Sequence, residues 1–368
     1  MLKHEGEMTN GGAARPRRPR KATMKDVADL AGVSLATVSR TLSAAAEVSP
    51  RLSRRVQAAA RRLDYAVNIN ARGLRGKSSG LVVVLLPDIA NPFFSVLLQG
   101  IEEQARSHDM AVLIGDTGVD HAIAETYWRL MDGQRADGII LLNGFLPFPP
   151  GKWGAGDYPM VVVSERITGV DAPIVGIDNV AAAFDAVSYL ARLGHRRVAY
   201  ICGPADNVLT LERREGYEKA VEAHELERWP EAVQPGAFSI RAGREATARL
   251  LAASPRPTAV FAANDEIAIG AIMEAKAQGL RVPGDLSVVG FDDIEMGQIC
   301  DPPLTTIFQP RREMGRKALE TLARLVEAPG KPVGDTLLDY KLVVRDSTAR
   351  PPAASRPGRS QIVANDDP

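Results

Sequence analysis

The sequence is poor in the residues that build metal centres and disulfide scaffolds. Its 368 residues include two cysteines, Cys202 and Cys300, and five histidines, and none of these has the spacing of metal ligands. Two thiols in so long a chain indicate a reducing cytosol, where both are expected to be buried small hydrophobes and not a disulfide. We therefore expect no metal ion.

Long apolar runs are also missing. No run reaches the roughly 18 residues that a membrane-spanning helix needs. The first 22 residues contain arginines without an apolar stretch after them, so a signal peptide is not expected either. The predicted protein is cytoplasmic and does not contact a membrane.

The signatures of common catalytic centres are absent as well. G-x-S-x-G and H-E-x-x-H do not occur, and no G-x-G-x-x-G follows the first predicted strand. GLRGKS at residues 73–78 resembles a phosphate-binding loop, but that motif requires glycine at position 71, where the chain has Ala71. The stretch also precedes the first strand instead of following one. We expect no catalytic residue and no cofactor.

The net charge is zero, but this average conceals an uneven distribution. Residues 1–80 hold 16 Lys and Arg against 6 Asp and Glu, a net charge of +10. The rest of the chain holds 29 against 39, a net charge of −10. A basic end joined to an acidic body indicates that only the first part meets nucleic acid.

The basic end contains a stretch, Thr23–Leu42, with the pattern of two short helices joined by a tight turn. Thr23 and Asp26 have the spacing of a capping box, and Gly32 is expected to end the first helix. The apolar stripe of this helix is Val27, Leu30 and Ala31.

Ser34 is predicted to cap the second helix, whose Val38 and Leu42 face inward. The residues left on its outer face are Leu35, Ala36, Thr37, Ser39, Arg40 and Thr41. A helix that presents small, polar and basic residues suits the major groove of DNA.

A third helix is predicted after the N-cap Ser49, with Pro50 at its first position. Its expected core face is Leu52, Val56, Ala59, Ala60 and Leu63. The arginines on or beside its solvated face are Arg51, Arg54, Arg55, Arg61 and Arg62. An ordinary helical hairpin would explain two helices and a turn. Three short helices with this many arginines favour DNA binding.

From Leu81 onward, apolar strands alternate with helices. Residues 81–87, LVVVLLP, form the continuous apolar run of a buried parallel strand. Further strands are predicted at 111–115, 138–143, 161–164, 197–202, 258–264, 286–293, 304–308 and 337–344. Helices are predicted at 92–107, 122–131, 180–193, 210–223, 266–278 and 311–327. This alternation implies a doubly wound α/β fold, and its length implies two subdomains.

Ligands of doubly wound sheets bind beyond the carboxyl ends of the strands. The side chains that follow the predicted strands include Asp88, Asn91, Phe93, Phe94, Asp116, Asn207, Leu209, Arg213, Arg214, Asn264, Asp265, Asp292 and Asp293. Such a set can hold a small molecule with several hydroxyls and one flat or apolar face. By position alone, Asn264, Asp265 and Asp292 can equally be helix caps.

The stretch TMKDVADLAGVSLATVSRTL, Thr23–Leu42, resembles the signature of the lac/galactose repressor (LacI/GalR) family nearly throughout. The resemblance covers about residues 23–348 and implies a ligand-responsive repressor that binds a palindromic DNA operator as a homodimer. It implies that Leu35, Ala36 and Arg40 read bases, and that Ser34, Thr37 and Ser39 hold phosphates.

The resemblance also identifies residues 69–79 as a hinge that folds on DNA. It implies that Asn70 and Ala71 belong to a short hinge helix and that Leu74 wedges between base pairs in the minor groove. Val67 stands where the family usually has proline. Gly73 lies inside the proposed helix, where it costs about 1 kcal/mol relative to alanine.

The body resembles the family's effector domain, which is similar to periplasmic sugar-binding proteins. The effector-binding positions that this resemblance implies are Phe93, Phe94, Asn207, Arg213, Phe238, Asn264 and Asp292. Phe93 and Phe94 would stack on the effector, Arg213 would hold it, and Asp292 would accept its hydroxyls. His195, in GHRRV, is expected to be structural.

Within the family, three stretches resemble a cytidine-responsive branch: residues 111–116, 177–198 and 300–318. Nucleosides are therefore preferred over sugars as the effector class. Two alternatives remain open at this point. One is an enzyme that processes sugars or nucleosides and carries a DNA-binding head, and the other is a periplasmic binding protein.

The predicted organisation has five parts. A disordered basic arm (1–22) precedes the helix-turn-helix domain (23–68), the hinge (69–79), an effector-binding and dimerisation domain (80–348), and a disordered tail (349–368). The effector domain is divided into one subdomain at about 80–178 and 309–335 and another at about 179–308 and 336–346. No C-terminal heptad zipper is visible, so a dimer is expected and not a tetramer.

Overall fold

The structure is a computed structural model that describes residues 22–42, 48–65, 78–118, 120–133, 135–146, 158–167 and 169–352. The chain divides into two compact units, residues 1–75 and 76–368. The predicted hinge positions Asn70, Ala71 and Leu74 lie outside the described residues, as does most of the predicted basic arm.

The described part of the first unit contains helices α1 (Met24–Ala31), α2 (Leu35–Leu42) and α3 (Pro50–Arg62). The predicted capping box is confirmed, because Thr23 and Asp26 bond to each other's backbone N–H groups. Gly32 ends α1 with a φ of 60°, a left-handed conformation that glycine adopts without steric cost. The backbone N–H of Thr37 donates to Ser34 Oγ at 3.2 Å, so Ser34 caps α2 as predicted.

The three helices share one small core. Its buried members are Val27, Ala28, Ala31, Val38, Val56, Ala59 and Ala60. The prediction that Leu30 belongs to the apolar stripe of α1 is wrong, because Leu30 is 44% exposed. Ala28 is buried in its place, since the side of α1 that meets the other helices runs through Val27, Ala28 and Ala31.

The second unit contains two sheets. In the described residues its strands are β1 (Leu81–Leu86), β2 (Ala111–Asp116), β3 (Gly138–Leu141), β4 (Met160–Val163), β5 (Ile174–Gly176), β6 (Val198–Ile201), β7 (Val233–Gln234), β8 (Ala259–Ala262), β9 (Ser287–Asp292), β10 (Thr305–Phe308), β11 (Thr336–Leu337) and β12 (Lys341–Val343). The order in the first sheet is β11-β5-β4-β3-β1-β2, and in the second it is β12-β10-β9-β8-β6-β7. All pairs are parallel except β10 with β12.

Helices pack against both sheets, as expected for the predicted doubly wound fold. The helices of this unit are α4 (Pro92–Ser107), α5 (His121–Asp132), α6 (Asn179–Arg192), α7 (Val208–Ala223), α8 (Ile240–Leu251), α9 (Asp265–Ala277), α10 (Glu295–Ile299) and α11 (Arg311–Glu327). Helices α4 and α11 pack on one face of the first sheet and α5 on the other. In the described part of the chain, none of the helices is long and apolar enough to cross a membrane.

The elements that were not predicted include β5, β7, α8 and α10. The two strands have three and two residues, too few for a recognisable alternation of side chains. Helix α8 buries Gly243, Ala246, Thr247 and Leu250, a set with only one large apolar side chain.

The prediction of one last strand over residues 337–344 is wrong. Thr336–Leu337 pairs with β5 in the first sheet, whereas Lys341–Val343 pairs with β10 in the second. The chain therefore crosses between subdomains after Leu337, and not between residues 335 and 336 as expected. A crossing of only three residues, 338–340, within a largely apolar stretch leaves no break in the sequence pattern.

The predicted disordered tail also begins too early. The Ala349 N–H donates to Ser287 Oγ at 3.1 Å, and its carbonyl accepts a hydrogen bond from His195 Nε2 at 2.9 Å. His195 is 1% exposed, and burial lowers the pKa of its imidazole, so the neutral ring is the stable form. Its predicted structural role is confirmed. Residues 353–368 lie outside the described residues.

Candidate functional site

A cavity of about 540 Å³ lies between the two sheets of the second unit, beyond the carboxyl ends of their strands. The first sheet contributes Pro87, Asp88, Asn91, Phe93, Phe94, His121, Leu142, Asn143, Gly144, Phe145, Ser164 and Glu165. The second contributes Pro204, Asp206, Asn207, Val208, Leu209, Arg213, Phe238, Asn264 and Asp292. The cavity wall therefore contains all seven positions that the family resemblance implied for effector binding.

Arg213 is the buried cation of this cavity. It lies on α7 and is 2% exposed. Its Nε donates to Asn179 Oδ1 at 3.1 Å, its Nη1 donates to the carbonyl of Ala263, and its guanidinium carbon lies 3.7 Å from the centre of the Phe291 ring. Burial lowers the pKa of the guanidinium, but an arginine remains charged at neutral pH. Its position is thus set before any ligand binds.

Asp292 lies at the end of β9 and faces this cation, with Oδ1 3.8 Å from Arg213 Nη2. The same oxygen accepts a hydrogen bond from Gln309 Nε2 at 2.8 Å. Burial raises the pKa of the carboxyl to about 6, against the opposing effects of Arg213, Arg311 and Gln309. Asp292 has a φ of 115°, so the strand leaves its regular path at the cavity wall. A carboxylate and a guanidinium in this arrangement can accept from and donate to neighbouring hydroxyls.

Two asparagines combine a capping role with a place in the cavity wall. The Oδ1 of Asn264 accepts from Ile267 N at 2.9 Å and caps α9. The Oδ1 of Asn207 caps α7, and its Nδ2 donates to Glu165 Oε2 at 2.9 Å. Glu165 belongs to the opposite subdomain, and burial raises the pKa of its carboxyl. The Asn207–Glu165 bond therefore joins the two walls of the cavity.

Four of the five aromatic side chains that line the cavity form two pairs, and the fifth is Phe238. Phe93 and Phe94 begin α4 and meet edge to face, with ring centres 5.2 Å apart. His121 and Phe145 lie with ring centres 4.4 Å apart. These flat surfaces can pack against an apolar or aromatic part of a ligand.

In the first unit, the outer face of α2 is accessible. Leu35 is 49% exposed, and Ala36 and Arg40 are exposed as well, whereas Val38 is fully buried. Arg40 Nε lies 3.3 Å from the carbonyl oxygen of Ala36 on the same helix. Ser34 and Thr37 bond to each other through their hydroxyls at 2.9 Å. The helix thus presents the predicted base-reading positions to solvent.

Comparisons with known proteins agree with both units. The family model for bacterial regulatory proteins of the lacI family matches residues 23–68, and the model for a periplasmic binding protein-like domain matches residues 187–348. The HTH-type transcriptional repressor CytR of Escherichia coli (strain K12) is 42% identical over 328 residues, which cover 89% of this chain and 96% of that repressor. The chain belongs to the LacI family. It is a DNA-binding transcriptional regulator, as the sequence resemblance predicted.

Solved structures of LacI-family proteins have the same architecture. A lac repressor dimer bound to operator and the anti-inducer ONPF has a TM-score of 0.78 and 29% identity, covering 90% of this chain and 100% of that one. A complex of the regulator CelR with cellobiose has a TM-score of 0.64 and 30% identity, covering 89% and 99%. A periplasmic binding protein, the third possibility from the sequence, lacks the helix-turn-helix domain and is excluded.

Some strand-end residues of this LacI-family protein lie outside the cavity wall. Asp116 accepts from Ile89 N, Arg214 pairs with Glu218, and Asp293 pairs with Arg345. Asp265 accepts from the Thr306 hydroxyl and from Ile294 N, and burial together with the charge of Asp292 raises its pKa well above the usual value. These four residues therefore have structural partners.

The sequence reasoning missed several cavity residues, notably Asn143, Ser164, Glu165, His121 and Phe145. The strand-end rule would have found the first three, because Asn143 follows β3 and Ser164–Glu165 follow β4. Cys202 and Cys300 are free thiols; Cys202 is buried, as predicted, whereas Cys300 is only half-buried. Within the described residues there is also no group of three His, Cys, Asp or Glu side chains arranged to hold a metal ion.

Proposed function

We propose that this regulator is a repressor that binds a palindromic DNA operator as a homodimer, and that a nucleoside or sugar in the cavity controls this binding. The observation that carries the proposal is that the cavity wall is built from both subdomains. Both subdomains contribute polar side chains to one cavity, and seven of its residues are the effector positions that the sequence predicted. A molecule bound there interacts differently with an open and a closed arrangement of the subdomains.

Such a difference is what ligand control of DNA binding requires. A ligand shifts an equilibrium only by its differential affinity for the two states, typically about 1–3 kcal/mol of coupling. In the proposed mechanism the angle between subdomains sets the separation of the two hinges of a dimer. Leu74 of each hinge would enter the minor groove when that separation fits the operator.

The headpiece assignments follow the accessible face of α2. Arg40 would contact a base, most simply guanine through its two-pronged donor set. Leu35 and Ala36 have no side-chain donors, so they would offer only apolar contact, for instance to a thymine methyl. Ser34, Thr37 and Ser39 would hold phosphates. A dimer then reads two half-sites related by its own symmetry.

The relatives support this assembly. One solved relative is a lac repressor dimer on its operator, and another is the regulator CelR with cellobiose. We place the protein in the cytoplasm, because the DNA on which it acts lies there in bacteria. The resemblance to a cytidine-responsive branch favours a nucleoside over a sugar as the effector.

We further propose that the cavity binds its ligand without converting it. The buried carboxylates of the wall are engaged by neutral or cationic partners, Asp292 by Gln309 and Glu165 by Asn207. Neither is bonded to a serine, cysteine or lysine that it could activate as a nucleophile in the described part of the chain. The alternative, an enzyme with a DNA-binding head, requires such an arrangement.

The experiment that tests the proposal starts with selection of operators from randomised duplex DNA by the purified full chain. We expect an imperfect palindrome to be enriched, with dimer binding in a gel-shift titration. Nucleosides and sugars are then added, and both operator affinity and chemical turnover are measured. The proposal is wrong if no sequence is enriched, if no compound changes operator affinity, or if a compound is converted at a catalytic rate.

A further inference from the structure

Two side chains on one wall of the cavity have polar atoms without partners. Asn143 is 1% exposed, and neither its Oδ1 nor its Nδ2 has a hydrogen-bond partner among the described residues. The buried Oγ of Ser164 has none either. Both residues line the cavity. Because unbonded buried polar atoms are costly, such atoms on a cavity wall point to a ligand that bonds to them.

The topology of the first sheet places these two residues side by side. Strands β3 and β4 are paired with Leu141 opposite Val162, and Asn143 and Ser164 each follow two residues later. Ser164 has a φ of 68°, a conformation that costs free energy for any residue other than glycine. The strained position closes a tight turn in which Glu165 N donates to the carbonyl of Val163 at 2.9 Å. Strain of this kind is concentrated at binding sites.

Two aromatic rings line the cavity on the same subdomain as the unbonded amide. Phe145 follows Asn143 by two residues, and its ring packs with that of His121. Both rings line the cavity. Sugar hydroxyls also bond to amides, but aromatic rings in the same cavity wall favour a planar ligand group that can stack on them.

We propose that Asn143 and Ser164 form a base-edge subsite, which binds the hydrogen-bonding edge of a heterocyclic base. The side-chain amide carries an acceptor and a donor in one plane, so it pairs with two neighbouring groups of such an edge. Arg213 and Asp292, from the opposite subdomain, bind the hydroxyls of the attached sugar. The inference rests on the proposed function and restricts the effector of this cavity to nucleosides.

The division of the ligand between two walls has a consequence for control. A nucleoside contacts both subdomains at once, because its base lies at the first sheet and its sugar at the second. A free sugar or a free base contacts one wall only. It therefore cannot favour one arrangement of the subdomains as strongly as the nucleoside does.

The test measures binding by calorimetry with the full chain. The ligands are cytidine, uridine, adenosine, D-ribose and two analogues that lack a base-edge group. Zebularine lacks the 4-substituent of cytidine and uridine, and purine riboside lacks the 6-amino group of adenosine. At least one nucleoside is expected to bind, and its analogue should bind at least about tenfold more weakly. D-Ribose should bind about a hundredfold more weakly or not at all.

Variants connect this discrimination to the subsite. Asn143→Leu, which is nearly isosteric, should weaken nucleoside binding at least about tenfold and remove most of the preference over the analogue. Ser164→Ala should act in the same direction with a smaller effect. The matched control is Thr247→Val, because Thr247 Oγ1 is also buried without a partner but does not line the cavity. This control should bind nucleosides as the wild type does, and thermal unfolding checks that all three variants are folded.

The inference is overturned if no nucleoside binds below about 1 mM, or if Asn143→Leu binds nucleoside and analogue as the wild type does. If sugars alone change operator affinity, the base-edge subsite is wrong and ligand control of DNA binding stands. If nucleosides bind with the expected discrimination but operator affinity does not respond, the subsite stands and the proposed function is wrong.

Discussion

At the scale of single residues, Arg213 combines a structural role with a place in the cavity wall. It is held by Asn179, the Ala263 carbonyl and the Phe291 ring, and it faces Asp292. A buried cation with this many partners is both a structural element and a preformed donor. Its neighbour Arg214 is exposed and pairs only with Glu218 among the described residues, which offers an internal control one position away.

We expect Arg213→Met to abolish the effector response while effector-free operator binding remains. The variant should also lose about 3–5 kcal/mol of stability, since the carboxylate of Asp292 stays buried without its cation. Arg214→Met should retain the effector response. Gel-shift titrations with and without the identified effector measure the response, and urea unfolding measures stability. A normal effector response in Arg213→Met would show that Arg213 does not bind the effector.

Asp292 predicts a pH dependence of stability. Burial raises the pKa of its carboxyl in the folded chain from 3.8 to about 6. Its contribution to the free energy of unfolding is therefore fully present below about pH 4 and is lost as the pH rises through about 6. The free energy of unfolding of the wild type should fall between pH 4 and pH 7, and Asp292 should account for about 3 kcal/mol of this fall. In Asp292→Asn the fall should be smaller by that amount. Urea unfolding at several pH values provides the measurement.

The control for this dependence is Asp285→Asn. Hydrogen bonding to Arg281 lowers the pKa of Asp285 to about 2. The contribution of this carboxylate to the free energy of unfolding is therefore lost only as the pH falls through that value. Between pH 4 and pH 7, Asp285→Asn should leave the slope of stability against pH unchanged. Equal slopes in the wild type and Asp292→Asn would contradict the assignment of the transition to Asp292.

At the scale of elements, α2 carries the prediction for DNA recognition. Arg40 is exposed on the same face as Leu35 and Ala36, which offer no side-chain hydrogen bonds. We expect Arg40→Ala to weaken operator binding by about 1–3 kcal/mol and to relax the base preference at one position of each half-site. Arg54→Ala, at an exposed arginine of α3, should weaken operator and random DNA to a similar extent. Equal weakening on both DNAs in Arg40→Ala would show that Arg40 contacts phosphate only.

The contact between α4 and α11 depends on two glycines that allow the backbones to approach. A Cβ on Gly100 would overlap the carbonyl oxygen of Arg312, and one on Gly315 would overlap that of Leu97. We expect Gly100→Ala to destabilise the second unit by at least about 2 kcal/mol, because this overlap outweighs the roughly 1 kcal/mol that alanine gains in a helix. Gly334→Ala is the control, since a Cβ there meets no atom within 4 Å. Thermal unfolding measures both variants, and a stabilised Gly100→Ala would mean that helix propensity outweighs the overlap.

At the scale of the whole second unit, the hydrogen bond from Asn207 to Glu165 joins the two walls of the cavity. Removal of a bond between subdomains shifts their equilibrium towards arrangements in which the walls are further apart. We expect Glu165→Ala to increase the radius of gyration of the effector-free chain in small-angle X-ray scattering. Glu212→Ala should leave it unchanged, because Glu212 accepts from Asn179 within one subdomain. Identical scattering of both variants would mean that the bond does not restrain the cleft.

The sequence by itself determined the features that depend on neighbouring residues. The caps at Thr23, Gly32 and Ser34 and the apolar runs of the longer strands follow from short-range chemistry, so they could be predicted without coordinates. Resemblance to a family with the same motif added the seven effector positions, all of which line one cavity. Short elements such as β5 and β7 were missed because two or three residues carry too little pattern.

Only the tertiary structure decided which strand-end residues share the cavity and which are held elsewhere. Asn143 and Ser164 come together because β3 and β4 are neighbours in the sheet, whereas Asp265 is held by Thr306, 41 residues away in the chain. The tertiary structure also decided where the chain crosses after Leu337, because β11 forms an edge of the first sheet and β12 forms an edge of the second. Strand order and side-chain partners depend on contacts between distant parts of the chain, and local pattern does not encode these contacts.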